Sequence, residues 1–134
     1  MFDFLKTEKL RFEKIVIHNV LYIKDCYNAN PISTKAAIEN LPKTSGKKIV
    51  VLGSNLGLGE FSKKDHFEIY KFAKENVDEI LCFGDEWKDI ENLKVFKDHE
   101  SLARHLLKIV KKDDVVLIKG SRKLEMEKIF DFIN

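Results

Sequence analysis

Lys48-Ile49-Val50-Val51-Leu52-Gly53 decides the fold. It is a short apolar run closed by a glycine, with no polar residue between Ile49 and Leu52. Such a run reads as a strand covered on both faces, and strands of that kind belong to parallel sheets flanked by helices. The next segment fits a crossover. A loop from Ser54 to Phe61 carries Gly57 and Gly59. Ser62 with Asp65 forms a variant of the capping box and opens a helix to about Asn76, with Phe67, Tyr70 and Ala73 on one stripe.

Outward from that unit the alternation continues. Glu79 to Phe83 is a second buried-strand candidate, ended by Gly84, and Leu93 to Phe96 is a shorter one. Asp98 caps a helix carrying Leu102, Leu106, Ile109 and Val110 on one face. Asp114 to Ile118 is the last strand. Lys119-Gly120-Ser121-Arg122 turns it into a final helix with Met126, Ile129, Phe130 and Ile133 inward. Toward the N-terminus, Arg11 to Ile17 and Leu21 to Lys24 flank His18-Asn19 and read as a hairpin without the usual turn glycine. The polar stretch Asp25 to Pro31 comes next. A helix then opens at Ser33 and runs through Ala36, Ala37, Ile38 and Leu41, with Pro42 just past its end. The expectation is a single α/β domain over residues 1–134. It has a mostly parallel sheet of about six strands, an N-terminal antiparallel hairpin, and helices on both faces.

Composition removes several function classes. Of the 134 residues, 44% are hydrophobic and 34% charged, which is ordinary for a globular chain. A net charge of +2 and a pI of about 8.4, with Lys spread among Asp and Glu, argue against a nucleic-acid partner. Cys26 and Cys82 form neither a metal spacing nor a disulfide framework, and read as reduced thiols of a cytoplasmic protein. No apolar run approaches the ~20 residues of a membrane span, and Met1 to Lys6 lacks the features of a secretory leader.

In an open α/β sheet ligands bind beyond the carboxyl ends of the strands. The Asp25–Pro31, Gly53–Gly59 and Lys119–Arg122 loops all come directly after expected strands, so they should meet there. Asp25, Tyr27, Asn28 and Asn30 suit hydrogen bonding to hydroxyls, amines and carboxylates. Read as plain structure, the same residues shape a turn and cap a helix. Lys119, Ser121 and Arg122 offer a cation, a hydroxyl and a guanidinium at a helix start, where anions are attracted. The plain alternative is a serine cap with solvated charges. Phosphate-cradling loops are missing. Gly57 and Gly59 are followed by Ser62 where a dinucleotide fingerprint needs glycine. Ser45-Gly46-Lys47-Lys48 lacks the upstream glycine and terminal hydroxyl of a P-loop. His18, His66, His99 and His105 show no metal-ligand spacing and read as surface or internally satisfied side chains, so no metal site is expected.

These loops resemble a known family. Asp25-Cys-Tyr27-Asn28-Ala29-Asn30-Pro31 with Ser33, Ala36 and Ala37 is similar to the D-x-Y-N-A-N-P-x-S-x-x-A-A signature of the D-alanyl-D-alanine-adding Mur ligases. Lys119-Gly120-Ser121-Arg122 with Met126-Glu127 resembles their K-G-S-R-x-x-x-M-E, and Arg11-Phe12-Glu13 their R-x-E. Val51-Leu52-Gly53 with Leu58-Gly59-Glu60, Ser62 and His66 resembles V-L-G-D-M-x-E-L-G-E-x-S-x-x-H, although Ser54, Asn55 and Gly57 depart from it.

The resemblance implies a Rossmann-like, three-layer C-terminal domain of an ATP- and magnesium-dependent ligase. Such an enzyme joins D-alanyl-D-alanine to a UDP-linked muropeptide in cell-wall synthesis. It implies that the UDP-binding and P-loop ATPase domains are separate from this chain, which alone would be inactive and bind no cofactor. By position, Arg11 and Asp25 would contact nucleotide, Asp25 through ribose hydroxyls. Tyr27, Asn28 and Asn30 would build the acceptor side. Lys119, Ser121 and Arg122 would hold the dipeptide, Arg122 by its carboxylate. No residue of this domain is expected to be catalytic by itself, and a monomer is expected. The other reading of the same residues is a divergent binding module that keeps the fold without ligase activity.

Overall fold

The computed structural model describes residues 11–133. The described chain forms a six-stranded sheet in the order β1-β2-β6-β3-β4-β5. Its strands are β1 (Glu13–Ile17), β2 (Val20–Asp25), β3 (Lys48–Gly53), β4 (Glu79–Phe83), β5 (Lys94–Phe96) and β6 (Val115–Lys119). Only β1 runs antiparallel, pairing with β2 with Ile17 opposite Val20; every other pairing is parallel. His18 and Asn19 both take positive φ, at 49° and 64°. A two-residue turn with that backbone matches the twist of a hairpin, and asparagine tolerates it without glycine.

Among the described residues three α-helices cover the sheet: α1 (Pro31–Glu39), α2 (Ser62–Asn76) and α3 (His99–Ile109). Alternate residues of the same strands feed two cores. Val50, Leu52, Leu117 and Ile23 pack with Ala37 and Ile38 of α1 and with Ile69 and Ala73 of α2. Ile49, Val51, Val116 and Ile118 pack with Leu102 and Leu106 of α3 and with Met126 and Ile129. Strands buried on both faces are what the Lys48–Gly53 run required. Cys26 and Cys82 lie inside, and burial pushes both thiols well above their ordinary range. Neither should react with Ellman's reagent in the folded protein, and both should react in guanidinium. Fast labelling of either in the native state would contradict the packing.

Some local expectations are corrected. Helix α1 begins at Pro31, not Ser33. Asn30 is its cap, its side chain accepting from Ser33 N–H while Ser33 Oγ accepts from Asn30 N–H. Serine thus fills the role that glutamate usually has in a capping box. The Ser62–Asp65 box does not form. A 3₁₀ turn at Gly59–Phe61 feeds straight into α2, Phe61 holds the cap position without a side-chain bond, and Ser62 is already helical. The stripe of α2 agrees at Ala73 but takes His66 and Ile69 as its buried residues, with Tyr70 partly buried and Phe67 49% exposed. The final α-helix is replaced by two 3₁₀ stretches, Arg122–Leu124 and Met126–Phe132. Glu125, at φ 49°, sits between them in the left-handed region and interrupts the helix. Met126, Ile129 and Ile133 still point inward.

Candidate functional site

Helices α1 and α2 come after β2 and β3 on one face of the sheet, while the segment after β6 lies with α3 on the other. Because β6 inserts between β2 and β3, the chain leaves the carboxyl ends of neighbouring strands in opposite directions. That divergence opens the crevice where doubly wound sheets take ligands.

Asp25 ends β2 and Lys119 ends β6, and the register sets them side by side. Lys119 Nζ donates to Asp25 Oδ2 at 3.0 Å and to the carbonyl of Asn28 at 3.0 Å. The lysine is 3% exposed and the Asp25 carboxylate 16%. A lysine this buried needs its charge matched, and the pair also fixes the curl of the Asp25–Asn30 loop. The resulting cleft of about 300 Å³ is lined by Arg11, Asp25, Tyr27, Asn28, Asn30 and Lys119, with Ser33 at its edge. The carboxamide oxygens of both asparagines are already used, Asn28 Oδ1 by Ala29 N–H and Asn30 Oδ1 as the α1 cap. The plain turn-and-cap reading therefore holds alongside any binding role. Asn30→Ala should cost about 1 kcal/mol of stability and Asn30→Ser much less. Equal losses in urea unfolding would argue against the cap.

Arg11 places its guanidinium 4.6 Å from the Tyr27 ring centroid, and Arg122 places its own 5.2 Å from the same centroid. Two cations thus share one aromatic platform at the cleft mouth. Ser121 is turned elsewhere: its Oγ accepts from Leu56 N–H at 2.7 Å and it is 7% exposed. The anion-attracting helix start expected here is absent, because Arg122–Leu124 is a single 3₁₀ turn. Larger grooves of about 400 and 490 Å³ lie over Phe67, between α2 and the segment around Asp89 and Ile90.

Hydropathy and spacing pass over Ser54, Asn55 and His66 as site residues. All are fully buried. His66 Nε2 accepts from Asn55 N–H at 3.0 Å, and Ser54 O accepts from Ser121 N–H at 3.1 Å. Hydropathy leaves a histidine either at the surface or satisfied inside, and His66 is the inside case. The only signal was the place of His66 in the glycine-loop pattern. Among the described residues no group of three His, Cys, Asp or Glu could hold a metal ion, and the cleft carboxylate is tied to Lys119. The donors here do not fit a divalent cation.

The fold and cleft define an open α/β domain that gathers polar loops at its switch point without a phosphate cradle. Residues 10–122 match the model of the family described as Mur ligase, glutamate ligase domain. The UDP-N-acetylmuramoyl-tripeptide–D-alanyl-D-alanine ligase of Rickettsia prowazekii is 33% identical over 133 residues, covering 92% of this chain and 30% of that protein. The enzyme of the same name from Bacillus subtilis is 34% identical, covering 93% of this chain and 30% of that one. Among solved structures, the MurF ligase from Thermotoga maritima in complex with ADP superposes with a TM-score of 0.83 at 34% identity. It is matched over 92% of this chain and 30% of that one. The chain belongs to the Mur ligase, glutamate ligase domain family, and it spans about 30% of the length of those relatives.

Proposed function

We propose that this chain is the substrate-holding and closing domain of an ATP-dependent ligase that adds D-alanyl-D-alanine to a UDP-linked muropeptide. The carrying observation is that Asp25, Lys119 and Arg11 line one cleft with Tyr27, whose ring also has the Arg122 guanidinium beside it. Arg11 and Asp25 serve the nucleotide, Asp25 by accepting from ribose hydroxyls. Tyr27, Asn28 and Asn30 form the acceptor side. Lys119 and Arg122 serve the incoming dipeptide, with Arg122 binding its carboxylate in a bidentate way, while Ser121, its hydroxyl oxygen already accepting from Leu56 N–H, acts only by holding their loop. Activation of the muropeptide carboxylate by ATP and magnesium belongs to UDP-binding and P-loop parts supplied outside this cleft. What this domain contributes is placement. Holding a loose amine at the reacting carbonyl lowers the barrier by several kcal/mol, and closing over it keeps water out. The setting is cytoplasmic and the working form a monomer within the ligase. No helix among the described residues is long and apolar enough to cross a membrane.

The burial of Ser54 and Asn55, with Ser54 O and Asn55 N–H both satisfied inside the chain, favours a second reading. In it the domain survives as a binding module with no ATPase partner. NMR titration of the purified chain separates the two. Under the ligase reading, D-alanyl-D-alanine shifts the amides of Tyr27 to Asn30 and Lys119 to Arg122, and ATP, held only weakly without the rest of its site, gives small shifts near Arg11 and Asp25. Arg122→Ala should weaken the dipeptide response about tenfold or more, the loss of one charge-assisted contact. The chain alone should not hydrolyse ATP. Dipeptide shifts that survive Arg122→Ala unchanged would remove that residue from the site. Silence with both ligands would favour the binding-module reading.

A further inference from the structure

Three consecutive residues after β3 tie the candidate loops together. Ser54 O accepts from Ser121 N–H, Asn55 N–H donates to His66 Nε2, and Leu56 N–H donates to Ser121 Oγ. Thr34 of α1 adds a fourth tie, its hydroxyl donating to Asn55 Oδ1 at 3.4 Å. His66 is the member without a backbone reason to be there. It is fully buried, it stacks edge-on against Trp87 with centroids 4.6 Å apart, and an apolar ring could fill the same space. Its chemistry is fixed by its partners. The carbonyl of Ser62, 2.7 Å from Nδ1, can only accept, so Nδ1 carries the proton. Asn55 N–H can only donate, so Nε2 is bare.

We propose that His66 is a positioning residue. Its neutral imidazole clamps the turn after β3, and that turn, through Leu56 and Ser121, sets Arg122 at the Tyr27 platform. The physical case rests on the irregular backbone of residues 54–56. Buried N–H groups outside regular structure must find acceptors, and a fully satisfied buried polar set selects one arrangement of the chain. Ser121 receives two of these ties and Arg122 is the next residue, so the orientation of Arg122 inherits the clamp. The dipeptide part of this inference rests on the proposed ligase reading, whereas the clamp itself does not.

The test compares His66→Phe, which keeps a ring against Trp87 but has no acceptor, with His66→Gln, which restores one. Amide hydrogen exchange is read by NMR on the full chain. In His66→Phe the Asn55, Leu56 and Ser121 amides should exchange about tenfold faster relative to Val51 and Leu117 in β3 and β6, as expected for losing a hydrogen bond. His66→Gln should recover much of that protection. Acceleration confined to Asn55, or equal acceleration of the strand amides, would overturn the proposal and leave His66 a packing residue. Should His66→Phe fail to fold, the wild-type imidazole nitrogens decide. A protonated Nε2 sinks the clamp, and a bare Nε2 coupled to the Asn55 amide supports it. With D-alanyl-D-alanine added, His66→Phe should blunt the Arg122 response and leave the nucleotide response near Asp25 intact. A wild-type chain silent to dipeptide would defeat the ligase reading while the exchange result still judged the clamp.

Discussion

Lys119→Met is expected to destabilise the folded chain by about 3 kcal/mol and to lower its melting temperature by about 10 °C. The lysine is 3% exposed, and its ammonium is shared between the Asp25 carboxylate and the Asn28 carbonyl, both at 3.0 Å. Methionine fills much of the same volume, so the loss is electrostatic rather than a void. A carboxylate then lies at the end of β2 without the partner that offset its desolvation. Asp25 retains 16% exposure, so water softens the penalty, and the figure is set at the low end for breaking a buried pair. Adding Asp25→Asn removes the orphaned charge, and the double variant should regain part of the loss. A single-variant loss below about 1 kcal/mol, the scale of an exposed pair, would show that the pair behaves as a surface one. Lys119→Arg is no substitute, because a planar fork cannot present one point charge to both oxygens in so small a space.

The sheet was legible because its strands have few other readings. Lys48 to Gly53 and Val115 to Lys119 are apolar on both faces, and only a parallel sheet between two helical layers buries both. Glycine or a short polar break closes β3, β4 and β1, which located the ends and hence the loops. What failed was phase and termination. The α2 stripe differs because His66 packs inside against Trp87, which turns Ile69 inward with it and leaves the larger apolar Phe67 half exposed; Ala73 belongs to both readings. The last helix broke at Glu125, whose left-handed backbone no glycine or asparagine announced.

The site divides along the same line. Asp25, Tyr27, Asn28, Asn30 and Lys119 are legible from their loops, Arg11 only from the family resemblance, and all of them line one cleft. Loop position reports which residues converge, since strand direction fixes where each loop emerges. It does not report which way a side chain turns. Ser121 shares a loop with Lys119 yet spends its hydroxyl oxygen on Leu56. His66 could be read only as a surface or an internally satisfied histidine, because partners such as Asn55 N–H and Ser62 O, which make it the second, are backbone groups invisible to any side-chain pattern.

Trp87→Ala is expected to cost about 4 kcal/mol, a large share of the ~5–15 kcal/mol that holds a domain of this kind together. Trp87 is fully buried among Leu52, Ile69 and Cys82, and it is the sole tryptophan. Its truncation opens a void between α2 and the sheet that neighbours on rigid strands cannot close. Trp87→Phe should cost far less, about 1–2 kcal/mol. The void is smaller, and the indole Nε1 that disappears is buried with no hydrogen-bond partner among the described residues, so no bond is lost with it. Urea unfolding followed by circular dichroism measures both. Similar costs for the two variants would mean that Nε1 makes a bond the packing does not reveal. The larger truncation also reaches the loops. Trp87 holds the His66 ring edge-on at 88°, and without that wall the imidazole can tilt away from Asn55 N–H. Trp87→Ala should therefore accelerate exchange of the Asn55 and Leu56 amides beyond what its global destabilisation explains, whereas Trp87→Phe, which keeps a wall in place, should not.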